Sequence, residues 1–341
     1  MKTTRRKNLQ SLLGATATAI AAPIAAAIVA AAGAAIPSIA QAQDYKGTIK
    51  IVVGFPPGGA TDVVARMLGD KLKDVLGQPI LVENKPGAGG MIATQQLKAA
   101  PADGSTLMLT IDHTHVIVPL TFKNPGYDPA TDFTPVAGVA SYFNALAVAP
   151  TLKVNTMKEY GDWLKANPTQ GNYGIPAVGS VPQFAGLIIG KALNTKMVAV
   201  PYKGGAPLTN DILAGQIPVG IGSLTEYIEH HRVNKMRVLA VSGQQRSKIA
   251  PEIPTFQELG LKGIDKNPWI AFVGPKGTPK DFVERFAAAV DVVLKMPDVN
   301  ERLSKIGNEP TFANGAQLAE WISSATAHWG PVIKESGFEL Q

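Results

Sequence analysis

The chain has 341 residues, 32 Lys and Arg against 26 Asp and Glu, and no cysteine. Four of the basic residues (Lys2, Arg5, Arg6 and Lys7) and none of the acids lie in residues 1–42, leaving 28 against 26, or +2, for the remainder. So small a surplus argues against nucleic acid as a partner, because phosphate binding needs clustered basic charge. The absence of thiols excludes disulfides, a cysteine nucleophile and Cys-built metal sites.

Residues 1–42 read as a cleaved export signal. A basic start is followed by an Ala-rich apolar stretch from Leu12 to Ile36, and Ala40-Gln41-Ala42 fits the small-x-small cleavage pattern. Paired Arg5 and Arg6 with Leu9 resemble a twin-arginine signal, although Asn8 stands where an apolar residue is usual, so the export route stays open. A retained anchor is the alternative, since the stretch is long enough to span a bilayer. Pro23, Gly33 and Pro37 interrupt it. The expectation is a periplasmic protein starting at Gln43.

From there short apolar runs alternate with helical segments. Strands are expected at 49–55, 80–82, 107–110, 145–149, 196–200, 219–221, 238–241 and 269–273, several of them apolar throughout, as buried parallel strands are. Between the first two, Val64, Met67, Leu68 and Leu72 recur at helical spacing over 62–76, with Thr61 or Asp62 as start cap and Gly77 as end cap. Thr278-Pro279 should open a helix with proline at its first position, Pro297 a shorter one, and residues 318–329 a third. The class is α/β.

Two glycine-rich strand-to-helix turns stand out. Gly54-Phe-Pro-Pro-Gly-Gly-Ala-Thr-Asp62 combines side-chain-free backbone with a helix start, which is a seat for a carboxylate or phosphate. Taken alone it could equally be a tight turn. Lys85-Pro-Gly-Ala-Gly-Gly-Met91 is the second, and Ile92 occupies the place where a dinucleotide fingerprint needs glycine. Two such turns within 40 residues favour a shared anion site at the carboxyl ends of strands.

Catalytic readings find less support. No Gly-x-Ser-x-Gly elbow exists, since Gly179-Ser180-Val181-Pro182 lacks its last glycine. His113 and His115, two apart, would share one face of a strand, with Asp112 on the other; loop or ligand-lining roles fit them better than a metal. His230-His231 reads as a solvated helix end, and Trp269, Trp321 and Trp329 as core or domain-interface residues. No cofactor, catalytic residue or metal ligand is assigned.

These residues resemble the Bug-type substrate-binding proteins of tripartite tricarboxylate transporters. The likeness spans the mature chain and is carried by the two glycine turns with their flanks (51–66 and 82–90), Pro101-Ala-Asp-Gly-Ser105, Tyr127-Asp-Pro129, Asp132-Phe-Thr-Pro135, Val200-Pro-Tyr-Lys-Gly-Gly-Ala-Pro207 and Gly274-Pro-Lys-Gly-Thr-Pro279. The resemblance implies a two-lobed α/β type II periplasmic-binding-protein fold (a Venus flytrap), hinged by two crossing segments near 141–148 and 267–273. Lobe 1 would comprise 43–142 plus 267–341, and lobe 2 would comprise 143–266.

It also implies a non-enzymatic receptor that binds a small di-, tri- or aromatic carboxylate as a monomer and delivers it to membrane subunits. A periplasmic sensor component or a hydrolase on the same architecture are the alternatives. Backbone amides of Phe55, Gly58, Gly59, Ala60, Thr61 and Asp62 would meet the carboxylate, with those of Gly87, Ala88, Gly89, Gly90 and Met91. Asp62 itself is read as a cap or a water holder. His113 and Thr114 are further candidates in lobe 1; Gly179, Ser180, Gln183, Lys203, Gly222 and Ser223 are those of lobe 2. Histidine is frequent in the family where Gln183 stands, and aspartate where Gly222 stands, so specificity should differ from that for an amino-dicarboxylate.

Overall fold

A computed structural model of the chain describes residues 45–341, so the export signal and its cleavage site lie outside the described residues. The elements run in the order β1 (Ile49–Val53), α1 (Ala60–Leu76), β2 (Ile80–Asn84), α2 (Met91–Lys98), β3 (Thr106–Ile111), α3 (Val118–Thr121) and β4 (Phe133–Ser141). Next come β5 (Asn144–Val148), α4 (Met157–Ala166), β6 (Asn172–Ile175), α5 (Val181–Leu193), β7 (Val198–Pro201), α6 (Gly205–Leu213), β8 (Val219–Ser223), α7 (Leu224–Arg232) and β9 (Arg237–Val241). The chain closes with β10 (Trp269–Pro275), α8 (Lys280–Leu294), α9 (Pro297–Lys305), β11 (Glu309–Asn314) and α10 (Gly315–Glu335).

Two sheets result. One has the order β11-β4-β10-β3-β1-β2 and the other β7-β6-β8-β5-β9. In the first, β1 pairs parallel with β2 and β3, and its apolar side chains are buried on both faces, as its near-continuous hydrophobic run requires. One face is covered by Val64, Leu68 and Leu72 of α1 with Phe282, Phe286 and Val290 of α8. The other face is covered by α2 and α10, through Ala93, Leu97, Leu318, Ile322 and Trp329. The second sheet is sandwiched likewise, with Tyr160, Leu164 and Ile189 on one side and Leu208, Ile212 and Tyr227 on the other. Among the described residues no helix is long and apolar enough to cross a membrane.

Several local expectations need correcting. β4, β6 and β11 were not foreseen: β4 carries Pro135 and Gly138, β6 is the short Asn-Tyr-Gly-Ile, and β11 carries Pro310. Helix α1 begins two residues earlier than expected, with Gly59 as its N-cap and no side chain capping it; Gly77 ends it in the left-handed conformation. Pro279 is the N-cap of α8 rather than its first helical residue, and Thr278 Oγ1 donates to Pro275 O at 2.7 Å. His113 and His115 lie in a wide helical turn, His113–Ile117, not on a strand. His231 is buried and its Nδ1 accepts from Val238 N at 3.2 Å, so it closes a turn instead of being solvated.

Candidate functional site

Strand pairing locates the cleft. The chain leaves the first sheet at Ser141 and returns to it at Trp269, and these two residues are partners beside Ile111, the last residue of β3. It enters the second sheet at Asn144, which pairs with Ser223, the last residue of β8, while neighbouring Ala145 pairs with Val241 at the end of β9. Both crossings therefore join the sheets at the carboxyl ends of their parallel strands. Tyr142 N to Pro268 O at 3.0 Å ties the crossings together. The strand-to-helix turns of the two sheets thus face one another, which is where α/β folds bind ligands.

On the first sheet the two glycine turns meet backbone to backbone. A Cβ at Gly54 would lie 2.8 Å from Gly90 Cα, so only hydrogen at position 54 permits the approach. Gly87, Ala88, Gly89 and Gly90 take φ values of 146, 46, 65 and 95°, a left-handed run that turns successive amides out of strand geometry. Ala88 bears this strain without being glycine. At the other end of the Gly54 turn the first amides of α1, on Ala60, Thr61 and Asp62, have no intrahelical acceptor. The turn that leads into an uncapped helix start therefore abuts a run of turned amides, both suited to an anion.

The Asp62 carboxylate does not cap the helix. It accepts from Gly58 N at 2.8 Å, Asn84 Nδ2 at 2.8 Å and Arg66 Nε at 3.1 Å, and is 2 % exposed. Asn84 also donates to Phe55 O at 3.0 Å. The group braces the first turn against the end of β2. Burial would raise its pKa, but the hydrogen bonds from Arg66, Gly58 and Asn84 outweigh that and hold it below the usual value.

Behind the second turn, Thr114 is fully buried and its Oγ1 donates to Gly89 O at 2.8 Å, so it supports the loop from inside. His113 stands over Gly89, with Nε2 3.1 Å from where a Cβ would be. Burial pushes its pKa down to about 4, leaving a neutral ring. His115 is buried with Nδ1 3.0 Å from Thr110 Oγ1, its ring 5.1 Å from that of Phe133. Among the described residues no His, Asp and Glu cluster could hold a metal.

On the second sheet, Gly179 and Ser180 begin α5 against residues of the first. A Cβ on Gly179 would lie 3.3 Å from Phe338 and 3.5 Å from Thr121, and Val181 and Phe184 pack in the same cluster as Trp329 and Ile333. Gln183 Oε1 accepts from Gly179 N at 2.7 Å. Ser180 is 6 % exposed and its Oγ donates to Ala177 O at 2.7 Å. It is part of the turn rather than an open cleft hydroxyl. Ser180→Ala should therefore destabilise the unliganded protein by about 1 kcal/mol, the net worth of one such bond, measured by urea unfolding.

Lys203 is exposed on the β7–α6 turn, and Gly204 N to Pro176 O at 2.9 Å holds that turn beside the start of the β6–α5 turn. Gly222 is buried in β8, with Tyr227 Oη filling the space a side chain would need. An acid at 222 would displace that hydroxyl. Ser223 Oγ lies 2.9 Å from Thr225 Oγ1. The expected residues thus lie at strand ends or in the turns and helix starts that follow them, but Thr114, Asp62, Gly222 and Ser180 serve the frame.

Two further groups lie outside the set of expected site residues. Glu226 lies against Gly205 at the start of α6. Asp112 is buried after β3, where Tyr142 Oη, from the first crossing, donates to its Oδ1 at 3.1 Å. Burial pushes the Asp112 pKa up to about 7, against hydrogen bonds from Tyr142 and backbone amides that include Trp269. Below pH ~4 both folded and unfolded states hold this proton; between there and about 7 only the folded state does, so the contribution to stability falls as pH rises and is flat above. Asp112→Asn keeps an oxygen for Tyr142 and removes the titration. Wild type should lose stability relative to that variant between pH 5 and 8 in urea unfolding.

Comparison with known proteins decides the class. The profile described as "Tripartite tricarboxylate transporter family receptor" matches residues 64–338. The chain belongs to that family. It is 33 % identical to Protein BugT of Bordetella pertussis over 298 residues, 86 % of this chain and 90 % of that one. A solved R. palustris protein, described with adipate, is 30 % identical with a TM-score of 0.76, over 85 % of this chain and 97 % of its own. MatC from Rhodopseudomonas palustris, solved with bound malate, is 28 % identical with a TM-score of 0.71, over 84 % and 98 %. This chain is accordingly a solute-binding receptor of periplasmic type with the two-lobed α/β fold, and not an enzyme.

Proposed function

We propose that this receptor seats a carboxylate group of a small organic acid on the two abutting glycine turns and hands the acid to membrane subunits of a tripartite tricarboxylate transporter. The contact between Gly54 and Gly90 carries this reading, because it joins the turn that leads into the open start of α1 to the left-handed run of residues 87–90. A carboxylate there replaces water at several unpaired N–H groups and meets the positive end of a helix. Relatives described with adipate and malate, both small aliphatic dicarboxylates, support this carboxylate chemistry.

In this reading lobe 1 (43–142 and 267–341) and lobe 2 (143–266) close on the ligand about the crossings. The receptor works as a monomer in the periplasm after cleavage at Ala42. The test is a melting screen of the mature protein over aliphatic and aromatic carboxylates, with chemical analysis of the recovered ligand. Ligand at 100 times its Kd should add about 2.7 kcal/mol of stability and be recovered unchanged. A panel that leaves the melting temperature untouched would remove the carboxylate reading.

A further inference from the structure

A pocket of about 480 Å³ lies where the second crossing meets α10, and no residue of the glycine turns lines it. Ser141 lines it from the end of β4. β10 and β3 stand between β4 and β1, which puts the pocket roughly 14 Å across the sheet from the strand that carries the first glycine turn. Trp269 also lines it, is 4 % exposed, and among the described residues its Nε1 has no hydrogen-bond partner. An indole N–H can only donate, and burying one without an acceptor is costly. Lys266 Nζ donates one hydrogen to Ser324 Oγ at 3.0 Å and has two more; no acid pairs with it among the described residues. Asn267 gives its amide oxygen to Ser242 Oγ at 2.9 Å, which leaves its amino group. Ser141 and Thr311 spend their protons. Thr311 donates to Glu309 O at 2.9 Å, so Ser141 donates to Thr311 Oγ1 at 3.0 Å.

The unspent groups are therefore donors, one of them charged. The apolar walls are Ala325 and Trp321, whose six-membered ring lies over Gly138. Exposed Glu320 marks the rim. We propose that this pocket is a second ligand site, which takes a small monocarboxylate with an apolar body. The carboxylate accepts from the Trp269 indole and, in a charge-assisted bond, from Lys266, while the body lies against Trp321 and Ala325. Glu320 repels a second carboxylate at the rim, so the occupant differs in class from a dicarboxylate held on the glycine turns. An acid bound there would tie the second crossing to α10 through Lys266 and Ser324.

Benzoate is the probe, and the indole N–H signals of the four tryptophans in proton–nitrogen NMR of the mature protein are the readout, assigned by replacing each with phenylalanine. The Trp269 signal should move with a Kd of about 1 mM or tighter, and benzylamine, a cation of similar size, should leave it in place. Lys266→Met should weaken benzoate at least about tenfold, through loss of one bond from a charged group. Gly59→Asp, which places an acid on the first glycine turn, should leave the Trp269 response unchanged. A Trp269 signal unmoved at about 10 mM benzoate overturns the proposal. So does any response to benzylamine, which would make the pocket a cation site held by Glu320. A response lost in Gly59→Asp overturns it too, since benzoate would then sit on the glycine turns. These arms decide the matter even if Lys266→Met fails to fold, and unchanged affinity in a folded Lys266→Met also overturns it. The seat on the glycine turns keeps its own test in every case.

Discussion

Gly59→Asp is expected to abolish carboxylate binding while the protein stays folded. Gly59 is the N-cap of α1 with φ −72° and ψ 163°, an extended conformation open to any residue. A Cβ there would meet Pro56 O at 3.2 Å, a contact that a shift of a few tenths of an ångström relieves. Aspartate is among the best N-caps, a few tenths of a kcal/mol better than glycine, so the melting temperature should hold or rise slightly. Its carboxylate would take the amides of Thr61 or Asp62 for itself and repel a second anion. Losing two hydrogen bonds to a charged group, at about 1.5–3 kcal/mol each, weakens binding by at least about 100-fold. Gly59→Ala adds a methyl group without an acceptor and should bind within a few-fold of wild type, as titration of both variants will show.

Gly54→Ala should have the opposite signature, losing stability and binding together. The obstruction is Gly90 Cα, 2.8 Å from the added methyl, and backbone cannot step aside as a flexible side chain can. Position 54 is buried and Gly90 is fixed from the other side by Thr94 Oγ1, which donates to its carbonyl at 2.9 Å. Overpacking of this kind costs roughly 2–3 kcal/mol, or several degrees of melting temperature in a chain of this size. The two turns can accept the methyl only by separating, which pulls apart the amides proposed to seat the carboxylate. Melting and calorimetry of the one variant check both losses; a stable Gly54→Ala with normal affinity would show that the turns need not touch.

Much of this was legible because glycine and helix starts leave marks in sequence. The run from Gly54 to Asp62 announces a strand end, a glycine-rich turn and a helix, and the structure places all three there. Less legible was which polar side chains serve the frame. Asp62 reads as a cap, yet Asn84, 22 residues away, draws it into a brace together with Arg66. Ser180 reads as a cleft hydroxyl, yet its own turn supplies a closer acceptor in Ala177 O. Ser223 and Glu226 have the spacing of a capping box, yet no side-chain bond caps α7 and Glu226 lies against Gly205 of α6 instead. β4 was hidden by Pro135 and Gly138, residues that disfavour strands in isolation but are accommodated where its pairing with β10 and β11 shifts register. Local chemistry sets the turns, and long-range neighbours decide what remains free to bind.

A crystal structure of the mature protein with the tightest-binding carboxylate of the screen tests the central claim most directly. The account predicts carboxylate oxygens within hydrogen-bond distance of the amides at Ala60 and Thr61 and of at least one amide between Gly87 and Met91, with residues of lobe 2 closed over the ligand's other end. A carboxylate seated on side chains elsewhere, with the amides of both glycine turns still open to water, would contradict it.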